Sequence, residues 1–378
     1  MDVVHVVDSL ASSGGAENRL VDEIEALAAR DGLDQTVVRL YARDALQPRL
    51  EAAGVPVLAL GYDARHAGRT WPLAARRLWA ILRQRRPAVV HTSLFSANLV
   101  GQLAARPLRI PVVSSFNRTG DLGLQRSLQP GVAGWRGRTM QAVARTVARG
   151  GDVWYRAVSA YARDTNCALM GFPPEQVTVV PRGIDLGALP GPADRAAFGL
   201  PDGVPLVVNV ARLVPEKAQH LLVEAFAAAR RDLPDAVLAI VGSPGPAEPE
   251  VRAAVARHGL GDAVRLLGFR DDARALVAAA DVFAFSSLSE GSPGAVLEAL
   301  ALGTPVAAFD IPPVAELTGG GRHAHLVPVG DVDKLGAAIV AAARSPRSTA
   351  GREWAARFDL AAVADQLAAL LSSRAAAR

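Results

Sequence analysis

Short apolar runs alternate with amphipathic stretches along most of the chain. Val3 to Val7 reads as a strand, followed by a loop from Ser9 to Ala16 and a helix from Glu17 to Ala29. Thr36 to Tyr41 and Val55 to Leu60 read as further strands. Leu73 to Arg86 sets Ala74, Leu78, Ile81 and Leu82 on one face at helical spacing. Ala88 to His91 (strand), Ser96 to Ala105 (helix) and Pro111 to Ser115 (strand) continue the alternation. Strands apolar on both faces, with helices between them, predict a parallel sheet covered on both sides.

The pattern loosens over 117–134, where glycine and polar residues show no strand period. Trp135 to Ala148 reads as a helix, Trp154 to Ser159 as a strand, Ala160 to Met170 as a helix and Val177 to Val180 as a short strand. Leu189-Pro190-Gly191-Pro192 then breaks the chain. A second series follows: a strand from Leu206 to Ala211, a helix from Lys217 to Arg231, and strands Ala236–Val241, Val264–Leu267, Val282–Ser286, Val306–Phe309 and His325–Val327. The predicted organisation is one domain over 1–188, a second over 200–355 and a terminal segment, 356–378, with a helix from Leu360 to Leu371. Two doubly wound α/β domains imply a cleft between two sets of strand carboxyl ends, where ligands of such sheets bind.

Composition sharpens this picture. A length of 378 residues suits two or three domains at roughly 100–200 residues each. With 50% hydrophobic and 21% charged residues, global disorder is excluded. The single cysteine, Cys167, excludes an internal disulfide and a four-thiolate zinc site, and makes a reducing cytosol the expected compartment. Residues 1–5 lack a signal-peptide pattern, and no stretch is long and apolar enough for a membrane span. A cytoplasmic chain, peripheral to a membrane at most, is therefore expected.

The net charge of +4 is unevenly spread. Residues 65–150 hold 15 arginines against one acid, Asp121. That excess points to an anionic membrane surface or an acidic substrate as partner. Nucleic acid is disfavoured, since no recognition motif accompanies the charge and aromatics are only 5%. Only two of the 41 basic residues are lysine, Lys217 and Lys334, so a lysine here hints that a compact ammonium is wanted.

The dinucleotide fingerprint and the Walker-type phosphate loop are absent, and no cluster has metal-ligand spacing. Gly14-Gly15-Ala16-Glu17 lies between the first strand and helix, where glycines allow close backbone approach and a helix N-terminus faces an anion. Arg212 and Lys217 lie between a strand and the start of the next predicted helix. Two cations there oppose the helix dipole and make sense beside a bound diphosphate. Ser286 to Thr304 carries the sharpest signal. Gly291-Ser292-Pro293-Gly294 forms a loop after Glu290, and the helix that follows is apolar all round except for Glu298. A carboxylate on a buried helix must be paired or hydrogen-bonded, and ribose hydroxyls would serve.

Glu290 and Glu298 at Glu-x7-Glu spacing, Arg212 and Lys217 at Arg-x4-Lys spacing, and Gly14-Gly15-Ala16-Glu17 together resemble the family-four retaining glycosyltransferases of the GT-B fold. Val179 to Asp185 resembles that family's interdomain segment, and Leu302 to Val306 its turn after the Glu-x7-Glu helix. The resemblance implies two Rossmann-like domains facing a cleft, with the last helix crossing back to the first domain. It implies transfer of a sugar from a nucleotide-diphosphate sugar, UDP-linked by preference, in glycan, glycolipid or natural-product biosynthesis, with no metal or other cofactor. It assigns the diphosphate to Arg212 and Lys217, the ribose to Glu298, and the transferred sugar to Glu290 and the backbone of Gly291, Ser292 and Pro293. It sets Gly14 and Gly15 against the donor phosphates, Gly242 beside the nucleotide and Phe269 and Arg270 near the base. Asn117 stands where many relatives carry a histidine, and its catalytic role is open. Ala218 replaces the usual glycine after the lysine, which looks minor, and Arg182 replaces an asparagine. Competing readings are a catalytically silent nucleotide-sugar-binding partner subunit and a sugar-nucleotide epimerase, which would need groups such as His91 and Asp121. The acceptor is expected in the first domain and to be acidic or lipid-linked.

Overall fold

The computed structural model of the chain describes residues 1–12, 15–63, 65, 67–119, 142–147 and 152–377. It divides into two compact units, Met1–Gly183 with Leu360–Arg378, and Ile184–Asp359.

In the first unit, β1 (Asp2–Val7), β2 (Asp34–Tyr41), β3 (Val57–Tyr62), β4 (Val89–Ser93), β5 (Val112–Phe116), β6 (Val153–Ala157) and β7 (Val177–Val179) form a sheet in the order β3-β2-β1-β4-β5-β6-β7. Each neighbouring pair is parallel. The second unit repeats the scheme with β8 (Leu206–Val210), β9 (Val237–Val241), β10 (Val264–Gly268), β11 (Val282–Phe285), β12 (Val306–Phe309) and β13 (His325–Val327), ordered β10-β9-β8-β11-β12-β13 and parallel throughout. Both are doubly wound. The direction of winding reverses between β1 and β4 in the first unit and between β8 and β11 in the second, and a crevice opens at the carboxyl ends of those strands.

The apolar strands follow from burial on both faces. Strand β8 illustrates the alternation in the second sheet: Leu206 and Val208 enter one core with Val237, Ala239 and Val241, while Val207 enters the other with Leu238 and Ile240. Successive side chains of a strand point to opposite faces, so both must be apolar.

The boundary differs from the sequence pattern. Ile184, Leu186, Leu189 and Phe198 pack in the second unit's core, so the first unit ends at Gly183 and not at 188. Gly183 is needed for close approach: a Cβ there would lie 2.8 Å from the Leu360 Cα. The terminal helix, Leu360–Ala376, is longer than predicted. It buries Val363, Ala364, Leu367, Leu370 and Leu371 against Val3, Val89 and Val113 of the first sheet.

Local differences matter for the site. Lys217 does not begin a helix. Pro215–Lys217 is a 3₁₀ turn, Ala218 follows in the left-handed region at φ 45°, and the helix runs from Gln219 to Ala229. Gly15 is the first residue of the helix Gly15–Ala28 and not part of the preceding loop. Of the helix expected over 135–148, residues 142–147 are helical; the rest, with Asp121 and Gly14, lies outside the described residues.

Candidate functional site

The second unit's winding reversal brings two loops together. The loop after β8 carries Arg212 and Lys217, and the loop after β11 carries Glu290. They are tied by the backbone of Leu288, whose N–H donates to the Glu216 carbonyl at 2.8 Å. The Ser286 hydroxyl donates to the Lys217 carbonyl at 2.9 Å. The buried Gln219 amide donates to the Arg212 carbonyl at 3.0 Å. These bonds hold Lys217 against Glu290, and the two form an ion pair with both side chains largely buried. Arg212 is exposed, and its guanidinium has no ion-pair partner among the described residues.

Ala218 is fully buried. Its left-handed backbone costs an L-residue about 1–2 kcal/mol, a cost that a glycine would not carry. The replacement is therefore not minor: the turn is retained under strain.

Gly242, at the carboxyl end of β9, is dictated by backbone. A Cβ there would lie 1.9 Å from the Ala211 carbonyl oxygen and 3.1 Å from the Arg212 nitrogen. The two loops run side by side, with the Ala211 N–H donating to the Val241 carbonyl at 2.9 Å and the Leu213 N–H to the Ser243 carbonyl at 3.1 Å. The Gly242 N–H donates to the Gly268 carbonyl at 2.8 Å, which joins the end of β10 to the same edge. Beyond it Phe269 is 51% exposed. Arg270 pairs with Asp272 at 2.8 and 2.9 Å and lies over the Phe198 ring at 4.3 Å. Gly291, Ser292 and Pro293 are buried, and the helix Gly294–Ala301 begins with Pro293 at its N-cap and no side-chain cap. The first turn of a helix offers N–H groups without intrahelical partners, the kind that bind anions, and this one starts shortly after Glu290 in the chain. Glu298, the one charge on this helix, is paired with Arg274, Nε to Oε1 at 3.1 Å.

In the first unit, Asn117 follows β5. Its side-chain amide donates to the Ser93 hydroxyl at 2.8 Å, and its carbonyl accepts from Arg182 at 3.3 Å. Asp8, after β1, accepts from the Ala97 N–H at 2.6 Å and so caps the helix Phe95–Ala105, which has no side-chain cap of its own. Burial pushes the Asp8 carboxyl up to about 6. Gly15 is exposed, and a Cβ on it would meet nothing within 4 Å. His91 is buried. Its Nδ1 lies 3.0 Å from His5 Nδ1 and its Nε2 lies 3.0 Å from the Ser115 hydroxyl. His5 Nε2 lies 2.9 Å from Gln35 Oε1, an acceptor, so His5 donates there and accepts from His91, which in turn accepts from Ser115. Burial lowers the His5 pKa to about 4 and takes His91 well below its ordinary value. Both histidines are neutral, and His91 is packed inside rather than open to a substrate. That removes it from the acid–base role an epimerase would require.

The comparisons with known proteins fall on this frame. The model described as Glycosyltransferase Family 4 matches residues 13–188, and that described as Glycosyl transferases group 1 matches 204–345. The GDP-mannose-dependent alpha-(1-6)-phosphatidylinositol monomannoside mannosyltransferase of Mycolicibacterium smegmatis is 34% identical over 300 residues, 73% of this chain and 76% of that protein. The chain belongs to glycosyltransferase family 4. A further relative, the putative colanic acid biosynthesis glycosyltransferase WcaL of Salmonella typhimurium, is 30% identical over 220 residues, 54% of this chain and 53% of that protein. The chain thus spans about half the length of several curated relatives that it matches. Among solved structures, Anabaena HepE in complex with UDP is 26% identical with a TM-score of 0.80, covering 99% of this chain and 100% of that one. Two parallel Rossmann-like sheets with this neighbour make the fold GT-B.

Within this family-four chain, the structure brings Arg212, Lys217, Glu290, Gly291, Ser292, Pro293 and Gly242 to one edge of the second sheet, with Phe269 and Arg270 at its outer end. Glu298 sits on the helix behind. Gly15 and Asn117 belong to the first unit and Gly14 lies outside the described residues. Sequence reasoning missed Arg274, Gln219 and Ser286. Arg274 sits 24 residues from Glu298, beyond any local spacing rule. Gln219 and Ser286 act through backbone carbonyls, which leave no pattern in side-chain types. Among the described residues no group of three or more His, Cys, Asp or Glu is placed to hold a metal ion, and no helix is long and apolar enough to cross a membrane.

Proposed function

We propose that this family-four chain transfers a sugar from a nucleotide-diphosphate sugar, UDP-linked by preference, to an acceptor hydroxyl with retention of anomeric configuration. One observation carries the reading. Four adjacent strand ends, in the sheet order β10-β9-β8-β11, present Phe269, Gly242, Arg212 with Lys217, and Glu290. Three strand spacings of about 4.8 Å span roughly 14 Å, the length scale of an extended nucleotide sugar. An aromatic face for a base, bare backbone that lets the nucleotide approach, two cations for the diphosphate and a carboxylate for the sugar then follow the chemical order of a nucleotide sugar, while Glu298, on the helix behind, meets the ribose. The UDP complex of HepE supports uridine, and the GDP-mannose-dependent relative makes guanine the competitor.

In this mechanism Arg212, Lys217 and the N–H groups at Gly294 stabilise the charge that grows on the departing diphosphate. The acceptor oxygen attacks the anomeric carbon from the face the diphosphate leaves, and its proton passes to the departing phosphate oxygen. Glu290, held by Lys217, meets the sugar hydroxyls. These cations supply the charge neutralisation, so transfer proceeds without a metal and a chelator leaves its rate unchanged. The acceptor is acidic or lipid-linked and meets the first unit. No acid occurs between Asp63 and Asp121, and Arg69, Arg76 and Arg86 of that stretch are exposed, which suits peripheral contact with an anionic surface.

A thermal-shift panel of UDP, GDP, ADP and dTDP, with Lys217→Ala as control, tests the donor. A ligand at 100 times its Kd adds about 2.7 kcal/mol, a shift of roughly 5–10 °C for a unit this size. One nucleotide that stabilises the wild type and not the variant supports the reading. Stabilisation by none of them refutes it.

A further inference from the structure

We propose that Arg274 is a positioning residue for Glu298 and, through it, sets the discrimination of the donor's ribose hydroxyls; this rests on the nucleotide-sugar reading above. Glu298 is the one ionisable group on an otherwise apolar helix, and its side chain is only 13% exposed. A carboxylate so placed needs a counter-charge to stay ionised and a fixed contact to keep its orientation. Arg274 supplies both, through Nε at 3.1 Å from Oε1.

The residue's location supports that role. Arg274 is the second residue of the helix Ala273–Ala279, directly after the Phe269–Asp272 loop. A cation in a first turn opposes the helix dipole, so helix stability does not explain it. The neighbouring carboxylate, Asp272, is engaged by Arg270 in a two-bond pair, so Arg274 is committed to Glu298. The two helices share one core, with Leu276 and Val277 against Val296, Leu297 and Leu300, which fixes the separation of guanidinium and carboxylate. The loop that would meet the base is thereby tied to the carboxylate that would meet the ribose.

The test is calorimetric titration of the full chain with UDP, 2′-deoxy-UDP and 3′-deoxy-UDP, on the wild type and on Arg274→Met, Arg274→Lys and Glu298→Ala. A hydroxyl bonded to a charged group makes the wild type prefer UDP over at least one deoxy analogue by about tenfold or more. Arg274→Met is expected to lose most of that preference while its affinity for the deoxy analogue stays within about twofold of wild type, because only the hydroxyl contact depends on the held carboxylate. Arg274→Lys should recover part of it. If Glu298→Ala loses the preference and Arg274→Met keeps it, the positioning role is overturned and the ribose reading stands. If Glu298→Ala keeps it as well, the ribose reading falls and the proposal falls with it. If UDP does not bind the wild type, the donor assignment itself fails.

Discussion

Gly242→Ala tests whether backbone packing or ligand contact dictates the glycine at the end of β9. A Cβ at 1.9 Å from the Ala211 carbonyl oxygen must retreat to about 3 Å, so the two loops have to part by about 1 Å. Overpacking of this kind costs about 1–3 kcal/mol. The Ala211 and Leu213 N–H bonds across the two loops then stretch, at about 1 kcal/mol each if lost. With both bonds lost, a total of about 3–5 kcal/mol lowers the melting temperature of the second unit by roughly 6–20 °C. Arg212 moves with Ala211, and losing one charge-assisted contact to a diphosphate weakens UDP binding about tenfold or more. Thermal unfolding and calorimetric UDP titration read the two effects. Gly261→Ala is the control, since a Cβ there meets nothing within 4 Å. A Gly242→Ala protein that melts with the wild type and binds UDP equally well refutes the argument that the Ala211–Arg212 backbone excludes a side chain at this position.

Two further predictions concern the first unit. Arg156, 2% exposed, donates to both Glu23 oxygens and to the Val180 and Pro181 carbonyls. Glu23→Gln leaves that charge buried without its counter-ion and is expected to cost about 3–5 kcal/mol in a denaturant melt, whereas Glu23→Leu with Arg156→Met recovers most of it. Asp8 carries a pKa raised to about 6 by burial, so the folded chain takes its proton first, and the stability this contributes is present below about 4 and lost as pH rises through 6. Relative to wild type, Asp8→Asn should therefore gain up to about 3 kcal/mol between pH 4 and 7, while His5, shifted to about 4, works in the opposite sense and destabilises both proteins alike as pH falls below 6.5; a flat difference between the two unfolding profiles would show that Asp8 titrates normally.

Strands β8, β9 and β11 of the site were legible because each is buried on both faces, and their apolar runs stand out without any partner being known. The loops after β8 and β11 were legible too, since Arg212, Lys217 and Glu290 are charged residues at sheet ends that no packing need explains. Lys217 was misplaced at a helix start because Ala218 is the residue most favourable to a helix. Only the tertiary frame, which buries that alanine in the left-handed region, shows the break. The boundary was set a few residues late for a related reason: Ile184 to Phe198 reads as a loop by composition, and its apolar side chains matter only once the second core exists to receive them.

The sequence by itself determined the class of fold, the order of elements and the side chains available at the carboxyl ends of the second sheet, because periodicity and charge are properties of the chain alone. The tertiary structure decided which of these are joined: Lys217 to Glu290, Glu298 to Arg274, Asn117 to Ser93, and His5 to His91 and Ser115. It also decided why Gly242 has no side chain. Those partners lie tens of residues apart along the chain, and contact between distant residues is set by strand order and helix packing. Local spacing carries no record of it.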